Sequence, residues 1–150
     1  MKLFELQQDT PFFNFGTMRD RQILELVLGH AAEDTQDAKL TGYRTARVKG
    51  KPYPALIKTD DDSDVVSGLL VGGLSPEDLK RIEYYEEGLY GIKVLSVTIK
   101  GKTVKAKVYA DYKDLPVLKD NDWNFETFLK EEKPDYIKEV EEWMSGYKES

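Results

Sequence analysis

Residues 90–112, YGIKVLSVTIKGKTVKAKVYADY, decide the fold class. Two runs rich in β-branched and aromatic residues, Tyr90 to Ile99 and Thr103 to Tyr112, flank Lys100-Gly101-Lys102. Val104, Ala106 and Val108 alternate with Lys105, Lys107 and Tyr109, as a half-buried strand requires. The pattern predicts an antiparallel hairpin. Upstream, a strand predicted from Ala38 to Val48 turns at Lys49-Gly50 into another through Pro54-Ala55-Leu56-Ile57, a second hairpin. PFFNF at residues 11–15 suits a buried strand stopped by Gly16, and Val65 to Val71 suits another. Helices are predicted from about Arg19 to Leu28 with Gly29 at the end, from Ser75 onward, and across Trp123 to Tyr147, with Pro134 opening the last piece. Strands joined mostly by hairpins, with helices at a few places, argue for an α+β fold around a mainly antiparallel sheet, against a doubly wound one.

No repeat or Pro/Gly/Ser-rich linker divides the 150 residues, so a single domain spanning 1–150 is expected, long enough to bury a core without staples. Hydrophobic content of 40% with 33% charged residues suits a soluble globule. No apolar run approaches the ~20 residues that span a bilayer. The opening MKLFELQQDTP lacks the basic and apolar regions of an export signal, so the expected location is cytoplasmic, with no membrane partner. Twenty-eight acidic against 22 basic residues give a net charge of −6, which repels polyanions and argues against nucleic-acid binding. Zero cysteines exclude disulfides and thiolate chemistry, and the single His30 excludes multi-histidine metal sites. Chemistry must then come from carboxylates, hydroxyls, lysines or backbone amides.

Among the carboxylates, Glu86 stands out. Ser75-Pro76-Glu77-Asp78 reads as a helix start: a cap, a proline at the first helical position and an acid three residues after the cap. Leu79 and Ile82 then define the inward stripe, and Glu86 returns to within about 20° of it. Two readings are open: an acid at a functional site, or a carboxylate escaping to solvent past Gly88. Glu83, within about 40° of the stripe, is a second site acid or a peripheral salt-bridging residue. Phe12-Phe13-Asn14-Phe15-Gly16-Thr17-Met18-Arg19 places a strand, a glycine turn and a helix start in succession, which aims backbone N–H groups at a carboxylate or developing oxyanion.

Other features read as structural. Asp60, Asp62 and Asp64 have the spacing of a calcium loop, but Val65 and Val71 stand where its glycine and bidentate glutamate belong, leaving an acidic turn. Val71-Gly72-Gly73-Leu74 lacks the lysine and glycine spacing of phosphate-binding loops and reads as a strand-to-helix connection. Asp122 is a candidate cap for the helix near Trp123, and His30 a helix-end charge. The stripe of Tyr136, Ile137, Val140, Trp143 and Met144, with Phe125, Phe128 and Leu129 before it, reads as packing.

In chain order, Phe15-Gly16-Thr17-Met18, Gly42-Tyr43, Tyr53-Pro54, Val66-Ser67-Gly68, Ile82-Glu83-Tyr84-Tyr85-Glu86, Tyr90 and Val108-Tyr109 resemble the motifs of the gamma-glutamylcyclotransferase-like superfamily. The likeness is to its small branch related to plant avirulence-induced proteins and gamma-glutamylamine cyclotransferase. The matches run over about residues 12–112, and DWNFETF resembles the plant branch's C-terminal extension, about 123–148. The resemblance implies a small mixed, mainly antiparallel β-barrel flanked by helices, with a cavity at its mouth. It implies Glu86 as general acid/base and substrate contacts from Phe15, Gly16, Thr17, Met18, Tyr53 and Tyr90. The implied reaction closes a γ-glutamyl group to 5-oxoproline and releases an amine or amino acid, with no metal or organic cofactor.

The expected partner is a small γ-glutamyl substrate, and the expected assembly a monomer or weak homodimer. Departures from the family pattern, namely Phe15 for tyrosine, Met18 for leucine, the polar Asn14 in an apolar strand, and Ile92 for arginine beside Lys93, point to retuned or lost activity. The rival is a noncatalytic module of the same fold that binds a small metabolite; there Glu86 would be locked against a lysine or arginine. A protein-interaction domain would need Tyr136, Val140 and Trp143 exposed.

Overall fold

The computed structural model describes residues 10–88, 90–112 and 115–148. Most of the opening segment read for an export signal lies outside them. The strands are β1 (Phe12–Asn14), β2 (Thr35–Thr41), β3 (Tyr43–Val48), β4 (Pro54–Lys58), β5 (Val65–Val71), β6 (Tyr90–Ile99), β7 (Lys102–Tyr112) and β8 (Val117–Asp122). The order β1-β5-β2-β6-β7 closes into a barrel, and β4-β3-β8 forms a second sheet. Pairing in the barrel is antiparallel except between β1 and β7, which are parallel where Phe12 faces Lys107. The barrel is therefore mixed and mainly antiparallel, as the resemblance implies.

The β6–β7 hairpin forms as expected, but its burial differs from simple alternation. Ala106, Lys107 and Val108 are all buried. Lys107 sits inside because β1 flanks β7: its N–H donates to Pro11 O, and its ammonium lies 4.8 Å from the Phe12 ring centre. Burial lowers the Lys107 pKa.

The single strand expected from Ala38 to Val48 is two. Gly42, at φ 86°, breaks it, so β2 joins the barrel while β3 turns into the other sheet. Few residues but glycine tolerate that conformation. The break is stitched by Gly42 N–H to Asp64 O and Thr59 N–H to Gly42 O. β8 was not expected at all; VLKDND is short, half-buried at its start and exposed thereafter, with no alternation to reveal it. Gly68 marks the tightest approach in the barrel. A Cβ there would stand 2.6 Å from Asn14 O and from the Phe13 ring, so only glycine lets β5 lie against β1.

A 3-10 turn over Thr17–Arg19 precedes α1 (Arg21–Leu28), so the helix expected from Arg19 begins two residues later. Its cap is Asp20, which accepts from Ile23 N–H and pairs with Lys133 at 2.9 Å; Gly29 ends it in the left-handed region. α2 (Pro76–Glu86) carries the expected start in full, with reciprocal bonds between Ser75 and Asp78. α3 (Phe125–Thr127) widens into a π-helical turn over Phe128–Glu132 and continues as α4 (Lys133–Ser145). The cap before α3 is Asn124, not Asp122, which instead pairs with Arg44 at 3.2 Å from β8. Asp122 ends a strand and lies too early to meet the first helical N–H groups.

Burial follows β1's alternation. Phe12 belongs to a core shared with Ile23, Leu24, Ile82, Phe128 and Val140, between barrel and helices. Phe13 and Phe15 belong to the barrel interior with Leu40, Val97 and Val108. The C-terminal stripe packs as expected: Val140 is buried, Tyr136 half-buried, and Trp143, though 41% exposed, stacks on Tyr84 at 5.0 Å. Of the three residues that the interaction-domain reading needs exposed, Trp143 alone is. Among the described residues, no helix is long and apolar enough to cross a membrane.

Candidate active site

A cavity of about 70 Å³ opens where the end of β1, the Gly16 turn, the start of β4, the end of α2, β6, β7 and α4 meet. The Asp20-capped α1 and the short β1 fix the turn, and the capping box fixes α2, whose last residue is Glu86. Phe15, Gly16, Thr17, Met18, Tyr53, Glu86 and Tyr90 all line this one cavity. Seven residues chosen from four separated stretches of sequence are thus neighbours in space.

Glu86 keeps some solvent contact as a residue, but protein closely surrounds its carboxyl. Desolvation, then the charge of Glu87, raises its pKa from 4.5 to about 8. Among the described residues, no lysine, arginine or histidine pairs with it and no group hydrogen-bonds it. The chain turns sharply beyond it, with Glu87 at φ 55° and Gly88 at φ 72°. A left-handed glutamate is strained, and the strain sits beside the acid.

The remaining walls are aromatic. The Thr17 hydroxyl lies 2.6 Å from the Tyr85 hydroxyl, which lies 2.5 Å from that of Tyr136. Tyr90 donates to Pro54 O at 3.0 Å, which ties β6 to β4. Tyr109 stacks on Phe12 at 5.4 Å. Burial raises the pKa of Tyr53, Tyr85, Tyr90 and Tyr109, and that of Tyr136 to about 12, so these hydroxyls remain protonated donors at neutral pH. The 3-10 turn has no side-chain cap, and its residues Thr17 and Met18 line the cavity with Gly16.

Sequence reasoning missed Tyr85, Tyr109 and Tyr136 as lining residues, along with Glu87 and Asn14. Tyr136 arrives from a distant helix, and nothing in local periodicity marks it. The signal for Asn14 is a polar residue in an apolar strand. Ile92 and Lys93 are exposed and outside the cavity, and so is Glu83, which makes no ion pair with a described residue.

One feature outside the cavity also differs from expectation. His30 Nε2 meets Asp78 at 2.6 Å, at the start of α2, while Arg81 donates to Val27 O at the end of α1. The helix-end charge there is Arg81's, not His30's. Asp60, Asp62 and Asp64 fall on the turn joining β4 and β5, where Asp61 bonds Ser63, and among the described residues no cluster of histidine and carboxylate could hold a metal ion.

Comparison with known proteins agrees with this architecture. The chain is 24% identical to AIG2-like protein C of Arabidopsis thaliana over 137 residues, covering 89% of this chain and 77% of that protein. It is 26% identical to AIG2-like protein D of the same plant over 134 residues, covering 87% and 86%. An Arabidopsis thaliana protein solved in solution superposes with a TM-score of 0.64 at 26% identity, covering 91% of this chain and 84% of that one. A structure titled gamma-glutamyl cyclotransferase shares the fold, with a TM-score of 0.52 at 13% identity over 94% and 89% of the two chains. With residues 12–125 matching the family described as "Gamma-glutamyl cyclotransferase, AIG2-like", a span that takes in the barrel and all but one wall of the cavity, the chain belongs to that family.

Proposed function

We propose that the protein cyclises γ-glutamyl compounds to 5-oxoproline with Glu86 as general acid/base. The observation that carries this reading is a carboxyl raised to about 8, facing a cavity with no cation against it among the described residues. A glutamate locked in an ion pair would be fixed as an anion; this one can gain and lose a proton near neutral pH.

The reaction asks little else of the site. The α-amine of the γ-glutamyl group attacks its own γ-carbonyl carbon, forming the ring C–N bond, while Glu86 takes the proton that the attacking nitrogen sheds. As the tetrahedral carbon collapses, the bond to the leaving nitrogen breaks and Glu86 returns a proton to it. In this reading the backbone N–H groups of the Gly16 turn are the donors for the developing oxyanion. Ring closure is intramolecular, so aromatic walls that hold a bent conformer supply much of the acceleration by orientation. Phe15 contributes shape but no hydroxyl; Thr17 and Tyr85 supply hydroxyls on the same side of the cavity.

The test is a panel of γ-glutamyl amino acids, γ-glutamyl-amines and glutathione, with 5-oxoproline as the measured product. Turnover that disappears in Glu86→Gln, with the fold intact, supports the reading; an unchanged rate defeats it.

A further inference from the structure

Asn14 ends β1 and is 6% exposed, among apolar neighbours Phe12, Phe13 and Phe15. Side chains alternate along a strand, so Asn14 shares the face of Phe12, towards Tyr109 and the helices, and not that of Phe13 and Phe15, which fill the barrel. On that face Tyr85 and Tyr136 also reach the cavity, and Asn14 lines it with them. Its Nδ2 group is buried with no hydrogen-bond partner, the one such side-chain atom among the described residues. Stranding an amide donor is costly, and valine or leucine would fill a strand position here without that cost. A donor kept unpaired at a cavity wall is matched by an acceptor that arrives with a ligand.

The lining indicates which acceptor. Among the described residues, no lysine, arginine or histidine faces the cavity, and two glutamates do. A ligand carboxylate therefore finds no cation and has to be held by neutral donors. Of these, Thr17, Tyr85, Tyr90 and Tyr136 already bond protein atoms; among the donors left, beside the Tyr53 and Tyr109 hydroxyls, Asn14 Nδ2 is the one fully buried without a partner among the described residues.

Building on the cyclotransferase reading, we infer that Asn14 is a specificity-determining residue whose Nδ2 donates a hydrogen bond to the α-carboxylate of the γ-glutamyl group. It reads the glutamyl half of the substrate, and Glu86 handles the protons.

The experiment compares binding of 5-oxoproline and 2-pyrrolidinone, the same ring with and without the carboxylate, by NMR titration of the whole protein. The wild type binds 5-oxoproline at least about tenfold more tightly; Asn14→Leu loses that preference, and Glu86→Gln keeps it. Asn14→Asp, which matches asparagine in shape, turns the preference against the carboxylate and serves as the test if the leucine variant does not fold. A wild type without the preference, or an Asn14→Leu protein that retains it, overturns the assignment. Turnover of γ-glutamyl compounds with the preference unchanged in Asn14→Leu sinks Asn14 alone. The predicted binding pattern without turnover sinks the catalytic reading and leaves Asn14 standing.

Discussion

Helix α2 carries a sheltered carboxylate at each end, and the two are electrostatic opposites. Asp78, in the first turn, is buried, yet its pKa lies below the usual carboxylate value: burial pushes it up, but the Ser75 N–H and His30 more than offset that. Glu86, the last residue, has neither donor nor cation among the described residues and is pushed up to about 8. The helix dipole favours an anion at the first position and opposes one at the second. Burial alone therefore does not raise a carboxyl's pKa; burial without partners does.

Removing the unpartnered acid is the strongest way to break this comparison. Glu86→Gln is expected to lower kcat for γ-glutamyl substrates by about 10²–10⁴-fold, measured as 5-oxoproline release. The next effect comes from titration. With Glu86 needed in its ionised form, kcat/KM should rise close to tenfold per pH unit below about 8 and then level off; a flat profile from pH 6 to 9 would assign the proton transfer to another group.

Stability separates the two ends more gently. Glu86 is raised, so the unfolded chain releases its proton near 4.5 while the folded chain keeps it to about 8, and stability falls as pH rises between those values. The Tm of Glu86→Gln should therefore gain on the wild type from pH 5 to pH 8 in thermal melts. Asp78→Ala should do the reverse, costing about 1–2 kcal/mol as a lost cap, or roughly 3–6 °C in Tm at this chain length. Asp78 is lowered, so its contribution is present above the ordinary carboxylate value and is lost as pH falls through the depressed one.

The smallest effect belongs to His30, largely exposed and raised by its bond to Asp78, then by Ala31 O. Its contribution is full below its ordinary value of 6.5 and disappears as pH rises through the raised one. His30→Gln should lower Tm by no more than about 2 °C at pH 5.5 and not at all at pH 9. A larger shift at pH 9 would mean that the contact works by packing.

Much of this was legible before coordinates. The hairpin of residues 90–112 announces itself by alternation, and α2 by its capping residues, because both depend on neighbours in sequence. Glu86 and the turn at Gly16 were legible as an acid on an inward stripe and a strand running into a helix start. What stayed hidden depends on distant partners. Gly42 looks like any glycine in a β-rich run until Asp64 and Thr59 close around it, and β8 has no apolar period of its own. Lys107 reads as a solvent-facing residue until β1 covers it. The Asn14 amide is conspicuous only once its surroundings are known to offer it nothing.

Tyr136 belongs to α4, past residue 125 where the family match stops, yet its hydroxyl touches Tyr85 beside the acid. The tail thus furnishes one side of the chamber around Glu86. Changes along that helix can resize or repolarise the chamber while the acid, the bend and the barrel stay untouched, so cargo preference and chemical competence can drift apart in this architecture.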